Sequence, residues 1–320
     1  MKTAKSKTEI TAKPSRESVI IMAEKEIMEI DIEGAEKIGE GAHSEVYRIA
    51  DDTIVKVYRP SESLDRIRKE KELSRWAFVK GVPTAISFHV VRVGEQYGLI
   101  YEMLNACFAP DYIKKSEEHF EDFVKRSVDL MHQIHAIEVA PGELPDMKEQ
   151  TRGWIEKCRK YMDAGICDSL EEFLDEIPDS HTLLHADYHI KNIMVSDSEL
   201  MLIDMDTLCM GNPIFELATI YNSYKEFPSV SPEAAAFLGI DVATANRLWE
   251  RTVALYVGES DREKVPAVER QAQILGCIRI IDYMDRHSDF KDSEPCIEVC
   301  KRDIYSSLSD LSVPRELFFL

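Results

Sequence analysis

The stretch that decides the fold is Leu184-His185-Ala186-Asp187-Tyr188-His189-Ile190-Lys191-Asn192-Ile193-Met194-Val195, followed by Leu202-Ile203-Asp204. The apolar flanks predict short strands that hold a polar loop between them. The loop presents Asp187 and, five residues on, Asn192. The next apolar run ends on a second carboxylate, Asp204. Phosphoryl transfer asks for these groups. A carboxylate orients an acceptor hydroxyl and takes its proton, and hard oxygen donors hold Mg²⁺ against the phosphate charge. Any one of the three alone reads as a turn or cap residue; their order and spacing point to a shared chemistry. His181, His185 and His189 recur every four residues, as zinc ligands on a helix face do. The β-branched Ile190, Ile193 and Val195 oppose a helix there, and no His-Glu-x-x-His is present.

Upstream, Gly39-Glu40-Gly41-Ala42-His43-Ser44-Glu45-Val46 places glycines between two expected strands. Bare backbone N–H groups there suit phosphates, and a plain turn explains the glycines equally well. Strands are expected over 46–49 and 53–58, around Asp51-Asp52, with a hairpin over 88–103. Lys56 faces away from Val55 and Val57. It is a solvated strand residue or a phosphate ligand paired with a helix glutamate. The helix expected from Ser61 or Ser63 to about Lys80 offers Glu70 and Glu72. Glu70 falls between Ile67, Leu73 and Ala77, and Glu72 toward Trp76 and Val79, so periodicity favours Glu70 modestly. Beyond Asn105 helices are expected over 116–137, 151–164, 169–176, 213–226, 241–256, 265–286 and 294–311, broken by β-rich pieces over 182–206.

The bulk composition sets limits. The 320 residues are 44% hydrophobic and 31% charged, enough for two lobes of a globular protein. Three regions are expected: a mobile tail over 1–18, a small β-rich lobe with one helix over 19–104, and a helical lobe over 105–320. The net charge of −20 argues against a nucleic-acid partner and is compatible with a cationic one. No apolar run is long enough to span a membrane, and the basic N-terminus lacks the apolar stretch of a secretory signal. Seven scattered cysteines without a Cys-x-x-Cys pair predict reduced thiols and a cytoplasmic protein.

With these pieces in place, the chain resembles the aminoglycoside phosphotransferase and choline kinase group of the protein-kinase-like superfamily. The likeness runs over about residues 35–225. It rests on Gly39-x-Gly41-x-x-Ser44, Lys56, Glu70, Met131-His132-Gln133-Ile134-His135, His185-Ala186-Asp187 with His189 and Asn192, Ile203-Asp204-x-Asp206, and Gly211-Asn212-Pro213-Ile214-Phe215-Glu216-Leu217-Ala218. The resemblance implies an α+β, bilobal protein-kinase-like fold that binds ATP and Mg²⁺. It implies Asp187 as catalytic base, Asn192 and Asp204 as metal ligands, Lys56 on the phosphates with Glu70, and Gly39, Gly41 and Ser44 in the nucleotide loop. It further implies a hinge at Glu102 to Leu104 for the adenine, and Glu216 bracing the catalytic loop. The chain departs from the group's pattern at Ala186, where glycine is usual, and at Asn212 and Glu216, where aspartates are usual.

Three functions compete at this stage. One is a small-molecule kinase acting on a hydroxyl of an amino-sugar, sugar or amino alcohol. The second is a protein kinase, disfavoured by the short Asp204–Gly211 interval. The third is a silent ATP-binding regulator, disfavoured by intact Lys56, Asp187, Asn192 and Asp204. Asp282, Asp285, Glu294, Glu298 and Asp303 either receive ammonium groups of the acceptor or form a solvated face.

Overall fold

The computed structural model describes residues 27–41, 43–287 and 293–310. The tail expected over 1–18 and the expected helix end at Leu311 lie outside the described residues. The described chain forms two compact units. The first runs to Lys71 and resumes over Ser87–Met103; the second takes Glu72–Ile86 and everything from Leu104 onward.

The first unit is built on a six-stranded sheet. Its strands are β1 (Met28–Glu29), β2 (Glu36–Glu40), β3 (Ser44–Ala50), β4 (Thr53–Tyr58), β5 (Ser87–Val93) and β6 (Gln96–Glu102), in the order β1-β5-β6-β4-β3-β2. All neighbours are antiparallel except β1 with β5. Alternation along β4 sorts its side chains onto two faces. Val55 and Val57 join Val91, Val93 and Ile100 on one face. Tyr58 packs with Leu99 and the helix residue Ile67 on the other. Lys56, by the same alternation, shares the face with the helix.

That helix, α1 (Leu64–Val79), starts beyond Ser63, whose hydroxyl accepts the Arg66 N–H at 3.2 Å. It stops at Gly81, where φ is +90°, a left-handed value that glycine adopts without a Cβ clash. Its first half belongs to the first unit and its second half to the second, where Leu73 and Ala77 join the large core.

The second unit is mostly helical. Its longer helices are α2 (Glu117–His135), α3 (Met147–Cys158), α4 (Ala164–Glu176), α5 (Ile214–Tyr221), α6 (Val242–Val257), α7 (Val265–Arg286) and α8 (Ser293–Asp310). Ser116 caps α2 through the His119 N–H, and Asp241 caps α6 through the Thr244 N–H. Three expectations needed correction, one of them the helix expected over 169–176, which starts at Ala164. The helix expected from Thr151 starts at Met147, because the Asp146 carboxylate accepts the N–H groups of Lys148 and Glu149. The helix expected to run unbroken to Glu226 is α-helical only to Tyr221 and continues as a π turn over Asn222–Glu226. Short strands carry the loop read first from the sequence. Ile193–Val195 pairs with Leu200–Leu202 and with Cys107–Phe108, and Leu183–Leu184 pairs with Cys209–Met210. The fold is thus mixed α+β, with a sheet-rich N-terminal region and a helical C-terminal region. Among the described residues, no helix is long and apolar enough to cross a membrane.

Candidate active site

In the second unit the loop leaves the strand Leu183–Leu184 at His185, which is fully buried. His185 Nε2 lies 3.1 Å from the Ile203 carbonyl, and its Nδ1 accepts the Asp187 N–H at 3.3 Å. This pairing assigns the ring proton to Nε2. His185 is therefore bound within the loop, His181 is exposed, and the three histidines do not meet as a metal cluster among the described residues.

Ala186 follows with φ = 61°, a left-handed value that costs a residue bearing a Cβ about 1 kcal/mol or more. Both of its backbone polar groups are held. Its N–H donates to Glu216 Oε1 at 3.0 Å, and its carbonyl accepts from Arg279 Nη1 at 2.7 Å. Glu216 lies in the first turn of α5, is fully buried, and also accepts the His185 N–H at 2.6 Å. Burial alone would raise the Glu216 pKa. The neighbouring His135, then His185 and its backbone N–H, outweigh that and hold the carboxyl below its usual range. Asn212 Oδ1 caps the same helix at the Ile214 N–H.

Asp187 comes next, half-buried. Asn192 Nδ2 donates to its carbonyl at 3.0 Å and to its Oδ2 at 2.9 Å, and His189 Nε2 lies 3.5 Å from Oδ2. Burial opposes the ionised form, but the charges of His189, Arg279 and His185 prevail and hold Asp187 well below the ordinary carboxylate range. Both Asn192 amide hydrogens are engaged, so Oδ1 is the atom it offers to a cation. The Asn192 carbonyl accepts the Ile203 N–H at 3.0 Å, which ties it to the segment carrying Asp204. Asp204 is exposed and also left-handed, at φ = 67°. An asparagine carbonyl and an exposed carboxylate are the hard donors that Mg²⁺ takes, so this set fits the ion. Tyr188 anchors the loop below, its hydroxyl donating to the Ser127 carbonyl at 2.7 Å, and the Tyr224 hydroxyl accepts the Ile190 N–H at 2.8 Å.

In the first unit, Lys56 Nζ meets Glu70 Oε1 at 2.8 Å, and the Tyr101 hydroxyl reaches the same oxygen at 3.1 Å. Glu70 is 2% exposed while Glu72 is exposed, which resolves the choice left open by periodicity. Gly39 pairs with Val46 beside a register shift, and the Gly41 N–H donates to the Ser44 carbonyl at 2.8 Å. A Cβ at Gly39 or Gly41 would meet its nearest neighbour no closer than 3.6 Å, and neither residue has a positive φ. The fold itself does not demand glycine at either place. Glu102 ends β6 opposite Thr53, Leu104 opens the next segment, and the intervening Met103 N–H is taken by the Asp52 carbonyl.

The acidic residues of the C-terminal helices are mostly neutralised within the protein. Asp282 is buried between Lys157 at 2.5 Å and Arg286 at 2.8 Å. Asp285 is held by Lys160 and the Tyr161 hydroxyl. Glu298 pairs with Lys301 and Asp303 with Arg302. Arg279 escaped the sequence reading. It is a single arginine on a long helix, 93 residues from the carbonyl it holds, and no local pattern marks it.

A family model described as "Phosphotransferase enzyme family" matches residues 34–255. No curated protein matches the sequence. Among solved structures, the gentamicin complex of APH(2")-IIa is 15% identical with a TM-score of 0.53, covering 92% of this chain and 97% of that one. The streptomycin–ATP ternary complex of APH(2")-IIa is 15% identical with a TM-score of 0.52, covering 85% and 90%. The GDP complex of wild-type aminoglycoside 2'-phosphotransferase-IIIa is 11% identical with a TM-score of 0.54, covering 92% and 98%. At these identities the likeness concerns the fold.

Proposed function

Because the chain belongs to the phosphotransferase enzyme family, we propose that it moves the γ-phosphoryl group of ATP to a hydroxyl of a small molecule. The observation that carries this reading is the Asp187–Asn192 pair, hydrogen-bonded at 2.9 Å and tied through Ile203 to Asp204.

Asp187 orients the acceptor hydroxyl. Its depressed acidity keeps it ionised but makes it a weak base toward an ordinary alcohol. In a loose phosphoryl-transfer transition state that suffices, because the proton leaves late, after the oxygen has begun to bond phosphorus. Asn192 Oδ1 and Asp204 hold Mg²⁺, whose charge offsets that of the phosphates. Lys56, fixed by Glu70, contacts the α- and β-phosphates. The bare backbone at Gly39 and Gly41, with Ser44 behind it, approaches the phosphates; the absence of any steric need for glycine there supports this role. The Glu102–Leu104 segment holds the adenine.

The acceptor is an alcohol of the amino-sugar, sugar or amino-alcohol class. Four of the five C-terminal acids suited to receive ammonium groups already have partners. Neutral alcohols therefore belong in the acceptor panel beside cationic ones. The test is a screen for acceptor-dependent ADP release with Mg·ATP. A hit that takes up labelled phosphate on a hydroxyl supports the reading; phosphate appearing in protein, with none in any acceptor, contradicts it.

A further inference from the structure

A second cluster of ionisable side chains lies apart from the catalytic loop. One ligand-capable atom from each of Glu226, Cys277 and Cys300 lies within 4.8 Å of the other two. Glu226 is 2% exposed, and both cysteines are fully buried. The Cys300 thiol donates to Glu226 Oε1 at 4.0 Å. Three elements converge here: Cys277 from α7, Cys300 from α8, and Glu226 from the last position of the π turn.

The π turn is what brings Glu226 inward. Such turns are rare inside α-helices and sit frequently at functional sites. Asn222, which opens the turn, donates from Nδ2 to the Gly276 carbonyl at 3.1 Å. A Cβ at Gly276 would lie 2.1 Å from Asn222 Oδ1. Glycine at 276 thus lets the π turn press directly onto α7, one residue from Cys277.

Buried cysteines alone are ordinary small hydrophobes. A buried glutamate beside them is not, because a carboxylate out of water needs a counter-charge. Among the described residues, no lysine or arginine forms an ion pair with Glu226; its further hydrogen-bond partners are the side chains of Asp303, Cys277 and Gln273. Its acidic neighbour Asp303 lies three residues beyond Cys300 on the same face of α8, and is itself paired with Arg302 at 2.8 Å. Two thiols and a carboxylate, with a second carboxylate at a partly exposed edge, are a donor set for a borderline-soft divalent cation.

We propose that Cys277, Cys300 and Glu226 form a structural zinc-type site that fastens the π turn to α7 and α8. Asp303 occupies or orients the fourth position. The site is separate from the magnesium ligands and does not depend on the phosphotransfer reading.

The test uses the full chain, kept reduced and stripped with a chelator, and titrated with Co²⁺ as a spectroscopic stand-in for zinc. The expected result is one equivalent bound with a sulfur-to-metal charge-transfer band. The band disappears in the double variant Cys277→Ser/Cys300→Ser and persists in Asp204→Asn. Glu226→Gln weakens uptake by about tenfold or more, at least the scale of second-shell losses. Absence of the band in the wild type, or its survival in the double variant, overturns the proposal. Should the serine variants fail to fold, X-ray absorption of wild type loaded with one equivalent of zinc decides. Two sulfur neighbours at about 2.3 Å support the site, and a shell of only nitrogen and oxygen overturns it.

Discussion

Glu216 Oε2 accepts the backbone N–H of His185 at 2.6 Å, so a carboxylate at the start of one helix fixes the backbone entry to the loop from His185 to Asn192. Its other oxygen takes the N–H of Ala186. Replacing Glu216 with alanine leaves two buried N–H groups without an acceptor, each costing about 1–3 kcal/mol. The prediction is a loss of about 2–6 kcal/mol in urea unfolding, with a fall in kcat larger than any change in KM for ATP. A variant as stable as wild type contradicts the brace.

The same residue sets a pH dependence. The folded pKa of Glu216 lies below its unfolded value of about 4.5. Its stabilising contribution is therefore fully present above that value and is lost as pH falls through the depressed folded pKa. Urea midpoints of wild type and Glu216→Gln, followed from about pH 7 to about pH 3, should differ by a constant gap above pH 4.5 that narrows below it. A gap that already closes between neutrality and about pH 5 would show the sign to be wrong.

Arg279 holds the Ala186 carbonyl from the opposite side at 2.7 Å. A hydrogen bond from a charged donor contributes about 1.5–3 kcal/mol. Arg279→Ala should lower kcat by about tenfold to a hundredfold, by conversion at 1.36 kcal/mol per tenfold. Binding of ATP, measured by calorimetry, should change little. An unaltered kcat would remove Arg279 from the loop's support.

Ala186 itself reports on backbone strain. Glycine is the usual residue here in the group the sequence resembles, and the left-handed φ of 61° gives the physical reason. Ala186→Gly trades relieved strain against a more flexible unfolded chain, so stability should stay within about 1 kcal/mol. Ala186→Val places a β-branched side chain at a left-handed, 1%-exposed position and should cost about 2–4 kcal/mol in chemical denaturation. Equal stability of the two variants would contradict the observed conformation.

The Lys56–Glu70 pair separates stability from function. Lys56→Met strands a glutamate that is 2% exposed and should destabilise the fold by about 3–5 kcal/mol. Adding Glu70→Leu should restore most of that stability without restoring nucleotide binding. Thermal melts together with ATP titration check both halves. Recovered binding in the double variant would remove Lys56 from phosphate contact.

How much was legible in the sequence follows from how local each signal is. Asp187 and Asn192 sit five residues apart in one loop, so their relation is written in the chain. Glu70 stood out from Glu72 only through its flanking Ile67 and Leu73, and burial beside Lys56 made the distinction. Glu216 was marked by the Gly211–Ala218 run. Arg279 meets its target across 93 residues and leaves no local trace. The π turn at Asn222–Glu226 keeps a helical composition, so periodicity read it as continuous helix. The start of α3 was misplaced because its signal was the Asp146 cap rather than an apolar stripe.

Acceptor-dependent phosphate transfer by Asp187→Asn tests the central claim most directly. With an acceptor identified by the ADP-release screen, turnover should fall by about 10²–10⁴ relative to wild type while ATP binding is retained. Turnover equal to wild type would contradict the assignment of Asp187 and, with it, the catalytic reading of the loop from His185 to Asn192.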